Sequence, residues 1–236
     1  MTPFPGKAKH KKQEAADPRP ESLTTVRDPG GGTSEDYRTL RTSLLYSLVD
    51  APPKAIVLTS PGPGEGKSTT CANLGVVLAQ AGKRTLVVDC DLRKPRIHQL
   101  FGIRNLEGMV NVLVGERSLE EVARDAAVPD LKVITSGPIP PNPTELLGSR
   151  RFSELLDHAR RDFDYLLLDT PPVERVSDAT ILAGQVDGTL LVFNARNTRK
   201  AAVRLSMHSL QSVGANVLGT VMNSVKTGKG DYYYGY

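Results

Sequence analysis

The segment Ala55 to Thr70, AIVLTSPGPGEGKSTT, constrains this chain more than any other. It opens with Ala55-Ile56-Val57-Leu58, an apolar and partly β-branched run long enough for one buried strand. The loop Ser60-Pro61-Gly62-Pro63-Gly64-Glu65-Gly66-Lys67-Ser68-Thr69 follows. Its alternate glycines let backbone N–H groups turn toward a phosphate with no Cβ in the way. Beyond Lys67, Cys71, Leu74, Val77, Leu78 and Ala81 recur at three- and four-residue spacing, the period of a helix. Strand, glycine loop and helix N-terminus in that order make an anion site. In such a site Lys67 reaches the β- and γ-phosphates of ATP and the Ser68 hydroxyl ligates Mg²⁺. Gly62, Pro63, Gly64, Glu65, Gly66 and Thr69 complete the nucleotide-binding loop. Pro61 replaces the first glycine of the strict G-x-x-x-x-G-K-[ST] pattern, but the phosphate-facing positions are intact. The alternative, an ordinary glycine-rich turn, does not account for the flanking strand and helix.

Two further strands end in carboxylates. Arg84-Thr85-Leu86-Val87-Val88 leads into Asp89-Cys90-Asp91-Leu92-Arg93-Lys94-Pro95, and Tyr165-Leu166-Leu167-Leu168 delivers Asp169 before Thr170-Pro171-Pro172. Asp89 and Asp91, two apart at the carboxyl end of a strand, are expected to point together into the crevice where α/β sheets bind ligands. Like charges so close need a cation, which Mg²⁺ and the trailing Arg93 and Lys94 would supply. Asp169 at a strand tip is a Walker B arrangement, in which a carboxylate holds the metal or its waters. Further strands are expected at 131–135, 188–193 and 217–222, and helices at 144–161, 177–185 and 198–213. The stretch 96–115 reads as a helix interrupted by Gly102 and Gly108. Alternating strands and helices specify a doubly wound, mostly parallel sheet.

The 236 residues suit one large domain with tails. Residues 1–33 are poor in apolar side chains, and their six basic and four acidic residues nearly balance, so a disordered tail is expected. The domain proper then spans 34–224, beginning with a helix N-capped by Ser34 whose stripe of Leu40, Leu44, Leu45 and Leu48 docks on it. Glu35, Arg38 and Arg41 fall three apart on that helix, fit either for pairing within it or for a second subunit. The net charge of +4 is mild and gives no reason to expect nucleic acid. Cys71 and Cys90 fall in expected core elements and read as small hydrophobes of a reducing compartment. No apolar run approaches the roughly 20 residues of a membrane span, and the N-terminus lacks a signal-peptide core, so a cytoplasmic location is expected. The C-terminal residues 225–236 form a flexible segment carrying Tyr232, Tyr233, Tyr234 and Tyr236.

Ser60 to Thr69, VVDCDLRKP (Val87 to Pro95) and LLLDTPP (Leu166 to Pro172) together resemble the Walker A, A′ and B motifs of the bacterial tyrosine kinases. The likeness continues through PPNPTELL (Pro140 to Leu147), Ser177-Asp178-Ala179 and GTVMNS (Gly219 to Ser224), and covers roughly Ser34 to Tyr236. The resemblance implies a P-loop fold of the deviant MinD/ParA type and transfer of phosphate from Mg²⁺-ATP to protein tyrosine. Glu35-x-x-Arg38-x-x-Arg41 matches the helix through which such kinases form ring-shaped homo-oligomers, and the closing tyrosines match their autophosphorylated cluster. It also implies a transmembrane activator of the polysaccharide co-polymerase type that recruits the kinase to the inner membrane face. Capsule or exopolysaccharide synthesis, exogenous protein substrates and a tyrosine phosphatase belong to the same expectation. Lys67 and the loop amides then stabilise phosphate, and Ser68, Asp91 and Asp169 hold Mg²⁺. Asp89 orients or deprotonates the tyrosine, although the roles of the two A′ carboxylates are interchangeable on sequence grounds. Asn223 is carried over from the wider P-loop group as an adenine contact. A MinD/ParA-like ATPase is the nearest rival, but its signature lysine would stand at Gly62. A nucleotide-dependent scaffold that transfers no phosphate is the other.

Overall fold

The computed structural model of the chain describes residues 23–46, 52–126 and 128–225. The closing tyrosines, Leu48 and residues 1–22 of the expected N-terminal tail lie outside these residues. In chain order the elements begin with α1 (Thr24–Arg27), α2 (Gly32–Leu45), β1 (Ala55–Thr59), α3 (Lys67–Ala79), β2 (Thr85–Asp89) and α4 (Ile97–Phe101). There follow α5 (Met109–Val114), α6 (Leu119–Val122), β3 (Arg124–Asp125), β4 (Leu131–Ile134), α7 (Pro143–Leu147) and α8 (Arg150–Asp162). The chain then forms β5 (Tyr165–Asp169), α9 (Asp178–Ala183), β6 (Gly188–Asn194), α10 (Lys200–Ser212) and β7 (Val217–Asn223).

Every residue of β1, β2 and β5 is buried, as expected of apolar strands covered on both faces. The seven strands form one sheet of order β3-β4-β2-β5-β1-β6-β7, parallel throughout except for the two-residue edge strand β3. The expected doubly wound, mostly parallel architecture is therefore present, with the short edge strand and α6 as additions. The sequence carried a signal for α6: Ser118 and Glu121 exchange side-chain and backbone bonds in a capping box. One face of the sheet packs α3 and α4 together with Leu23 and Leu44, and the other packs α5 through α9 around Phe152 and Met109.

Two boundaries differ from the sequence reading. The packed domain already includes Leu23, ahead of the expected start at Ser34: Leu23 is fully buried, and the Thr25 N–H and hydroxyl both donate to Asn73 Oδ1 of α3, at 3.1 and 2.8 Å. A single buried leucine with a matched polar neighbour docks a segment whose average composition is otherwise unfavourable. Helix α2 accordingly starts at Gly32 with Gly31 as N-cap, and buried Ser34 instead donates to the Asp28 carbonyl at 2.6 Å. The helix expected over 144–161 is two helices, because Gly148 ends α7 and Ser149 caps α8 by accepting the Phe152 N–H. If the Leu23 segment belongs to the cooperative fold, Leu23→Ala should lose about 2 to 5 kcal/mol. Thr25→Val should lose about 1 kcal/mol. Denaturant unfolding checks both, and midpoints equal to the parent's would show that the segment only rests on the domain.

Candidate active site

The register of the central strands brings the acidic tips together. Asp89 of β2 lies directly beside Asp169 of β5, and Leu58 of β1 lies on the other side of Asp169. Three parallel strands thus end at one level, with the phosphate loop rising from β1 above them. Gly64 and Gly66 adopt φ of +78° and +89°, the left-handed region that glycine enters without strain. A Cβ on Gly66 would also collide with the Asn223 amide.

Lys67 opens α3 and is nine-tenths buried. Its Nζ sits 3.3 Å from Asp91 Oδ2, 3.3 and 3.4 Å from the two Asp169 oxygens, and 3.1 Å from Ser68 Oγ. The Ser68 hydroxyl donates to Asp169 Oδ2 at 2.6 Å. Burial works to lower the lysine's pKa, but the charges of Asp169 and Asp91 outweigh it and hold the ammonium above the ordinary range. Burial pushes the Asp169 carboxyl up, opposed by Lys67 and Ser68.

Asp89 is placed differently from the expectation of a substrate-facing carboxylate. It is fully buried, and its oxygens accept the backbone N–H groups of Asp91 (3.2 Å), Arg96 (3.0 Å) and Ile97 (3.0 Å). Burial first, and then the charge of Asp169, raise its pKa to about 8. Asp89 therefore shapes the 91–97 loop from beneath, whereas Asp91 lines the cleft and accepts the Lys94 N–H at 3.0 Å. Arg93, expected to neutralise these carboxylates, turns instead to Asp178.

Two other expected nucleotide contacts act on the loop itself. The Glu65 carboxylate accepts the Asn194 N–H at 2.6 Å and the Thr198 hydroxyl, tying the loop to the end of β6. Both amide hydrogens of Asn223 are engaged, to the Glu65 carbonyl at 3.0 Å and Thr70 Oγ1 at 3.1 Å, so Asn223 buttresses the loop rather than donating to a base. Pro63 through Thr69, Asp91 and Pro172 line a cleft of about 470 Å³ whose outer wall is Lys94, Arg96, Gln99 and Leu100. That outer wall escaped the sequence reading, since its residues carry no motif and meet the loop only through the fold. A larger cavity, about 560 Å³, lies at the opposite strand ends around Arg84, Leu131 and Phe163 and holds none of the phosphate-binding groups.

The donor set fits a nucleotide with a hard cation. Two buried carboxylates, Asp91 and Asp169, face one buried ammonium, which leaves negative charge for a divalent ion to balance. Asp169 and Asp91 with the Ser68 hydroxyl suit Mg²⁺, which takes one or two carboxylates, a hydroxyl, waters and substrate phosphates. Ser68, Asp169 and Asp91 are the residues that would hold it.

On helix α2, Glu35 pairs with Arg38 at 2.8 Å and is largely exposed, while Arg41 leans inward and donates to the Val77 carbonyl at 3.1 Å. The face expected to offer all three side chains to a second subunit thus presents Glu35 and Arg38. Cys71 and Cys90 are buried free thiols, in line with their reading as small hydrophobes. Among the described residues no helix is long and apolar enough to cross a membrane.

Comparison with known proteins agrees with this geometry. The AAA domain family model matches residues 53–199. Tyrosine-protein kinase YwqD of Bacillus subtilis is 42% identical over 216 residues, 91% of each chain. Some relatives are much longer: the chain spans 29% of the putative tyrosine-protein kinase EpsB of Ralstonia nicotianae, at 39% identity. The solved chimerical protein CapA2B2 superposes with a TM-score of 0.85 at 38% identity, covering 88% of this chain and 91% of that one. The kinase domain of the Escherichia coli tyrosine kinase ETK gives 0.84 at 34% identity, covering 91% and 84%. The MinD protein of Pyrococcus horikoshii, at 23% identity and a TM-score of 0.61 over 72% of this chain and 69% of that one, shares the fold alone. A lysine loop closed by two strand-tip carboxylates, on a chain matched nearly end to end by tyrosine-protein kinases, identifies a member of the bacterial tyrosine kinase family.

Proposed function

We propose that the chain transfers the γ-phosphoryl group of Mg²⁺-ATP to tyrosines of its own C-terminal cluster, Tyr232, Tyr233, Tyr234 and Tyr236, between neighbouring subunits. The observation that carries this reading is the convergence of Lys67, Ser68, Asp91 and Asp169 within 3.4 Å of the lysine nitrogen at the floor of the cleft. Phosphoryl transfer is chiefly positioning and charge stabilisation, and these are the groups it needs. Ser68, Asp91 and Asp169 would hold the metal, whose chemistry when bound is to neutralise charge that develops on the phosphates. Lys67 and the loop amides hold the phosphates, with Gly64 and Gly66 setting the curvature of the backbone. The tyrosine oxygen attacks the γ-phosphorus, the bond to the β–γ bridging oxygen breaks, and ADP departs. Asp89 is sealed beneath the loop, and Asp91 is engaged by Lys67 and would hold the metal, so the hydroxyl proton, from a group of ordinary pKa about 10, passes to an oxygen of the phosphoryl group being transferred. Lys94 and Arg96 on the outer wall suit an acceptor segment in which Asp231 precedes the tyrosines.

The same reading places Glu35 and Arg38 at a contact between subunits of a ring-shaped homo-oligomer. A transmembrane activator of the polysaccharide co-polymerase type would hold the kinase at the inner membrane face, in the service of capsule or exopolysaccharide synthesis. Protein substrates beyond the chain itself, and a phosphatase that resets the cluster, belong to this proposal. Phosphates on neighbouring tails each add about −1.5 to −2 charges, which crowds like charge in a ring and favours its disassembly.

Two experiments test this function. Intact-mass and peptide mass spectrometry after incubation with Mg²⁺-ATP and an activator's cytoplasmic peptide should find phosphate on the closing tyrosines, reduced about 100-fold or more in Lys67→Met. ADP release with no phosphate on the tail would instead favour the scaffold or MinD-like ATPase. For the subunit contact, native mass spectrometry of Glu35→Ala/Arg38→Ala should show a smaller assembly than the parent with the nucleotide affinity retained. An unchanged assembly would remove α2 from the interface.

A further inference from the structure

Outside the cleft the fold brings three residues from three sequence motifs, one of them the segment that carries Asp91, to a single point. Arg93 stands two residues beyond Asp91, Thr144 opens the TELL half of PPNPTELL, and Asp178 is the centre of Ser177-Asp178-Ala179. Asp178 is fully buried at the start of α9. The Arg93 guanidinium grips it with two prongs, Nε to Oδ2 at 2.8 Å and a terminal nitrogen to Oδ1 at 3.3 Å. The same terminal nitrogen donates to Thr144 Oγ1 at 2.9 Å, and the Thr144 hydroxyl donates to Asp178 Oδ1 at 2.6 Å. A buried carboxylate with both oxygens occupied by a forked cation and a hydroxyl is a specific, directional tie. Lysine lacks the fork that makes it.

The tie acts on the segment that forms one wall of the cleft. Residues 91–97 are held from beneath by Asp89, which accepts the N–H groups of Asp91, Arg96 and Ile97. They are held from within by Asp91, which accepts the N–H of Lys94. Arg93 supplies the third anchor, from the outer side, to helices α7 and α9. Without it the short stretch between Asp91 and Lys94 has no side-chain attachment to the rest of the domain among the described hydrogen bonds and ion pairs.

We propose that Asp178 and Thr144 are positioning residues that lock Arg93 and thereby hold the 91–97 loop, with Asp91 at its head, in register with Lys67 and Asp169. Neither touches nucleotide. Their contribution reaches the reaction through the placement of Asp91, so the inference rests on the assignment of Asp91 to the metal. Partners of this outer kind characteristically alter metal affinity about 10- to 100-fold when removed.

The test follows the full-length chain by two readouts that require no phosphoryl transfer. In the first, binding of a fluorescent ADP is titrated against Mg²⁺. Asp178→Asn should raise the Mg²⁺ concentration for half-maximal binding about tenfold or more, and leave binding in EDTA unchanged, since the phosphate loop does not touch the tie. In the second, hydrogen exchange of the Lys94, Arg96 and Ile97 amides should quicken in the variant, while the Cys90 and Thr70 amides, bonded to Asp169 and Gly66, keep their protection. Thr144→Val should show the same pattern more weakly and Thr144→Ser should restore it. This pair decides the matter if Asp178→Asn does not fold. An unaltered Mg²⁺ dependence overturns the proposal, as does exchange that rises evenly across the sheet, the mark of a purely structural role. A parent chain that binds Mg²⁺-ADP but never phosphorylates its tail would instead count against the kinase reading alone.

Discussion

The buried ammonium of Lys67, held between Asp91 and Asp169, is the interaction on which the rest of the site depends. Burying any one of these charges alone would be costly, and each is tolerable only because the others are within reach. The parallel register makes the cluster unavoidable: β2 and β5 run level, so their terminal carboxylates Asp89 and Asp169 must be neighbours. One lysine does not balance both Asp91 and Asp169. The remaining negative charge, with a serine hydroxyl beside it, is the electrostatic ground on which a divalent cation and a nucleotide phosphate are accommodated.

Precision in such a site requires that the two segments bearing the charged groups be fixed by something other than those charges. The phosphate loop is pinned through Glu65 to β6 and through Asn223 to β7, so the far half of the sheet sets its height. The 91–97 loop is pinned through Asp89 to its own strand and through Arg93 to the helices on the opposite face. Acidic side chains on backbone N–H groups do most of this, since a carboxylate accepts several such bonds at once. The consequence for Asp89 is that, instead of facing the cleft as expected, it shapes the loop carrying Asp91, which does line it.

The N-terminal helices share in the same arrangement. Thr25 bonds Asn73, Arg41 reaches the Val77 carbonyl, and Tyr37 lies close to Thr70, all on α3. Thr70 in turn receives the Asn223 amide beneath the phosphate loop. The helix bearing Glu35 and Arg38 is therefore seated on the helix that begins with the nucleotide-binding lysine. A subunit docked on α2 would press on the element that positions Lys67.

Much of this architecture is legible in local chemistry alone. Apolar β-branched runs, glycines at alternate positions and carboxylates at strand tips are short-range signals, and they located the sheet, the phosphate loop, Lys67, Ser68 and Asp169. A glycine–serine step at 148–149 was equally local, but a continuous apolar period concealed it, so one expected helix proved to be two. The docking of residues 23–28 was hidden because composition averages over a window, whereas it turned on one leucine and one threonine matched to a buried asparagine. Whether Asp89 or Asp91 faces the cleft, where Arg93 finds its counter-charge and what Asn223 holds were decided only by tertiary structure. The partners of Arg93 and Asn223 lie about 3 Å away across separations of 51 to 153 residues, and Asp89 turns on how the loop after it folds back over its oxygens, which no property of the neighbouring sequence encodes.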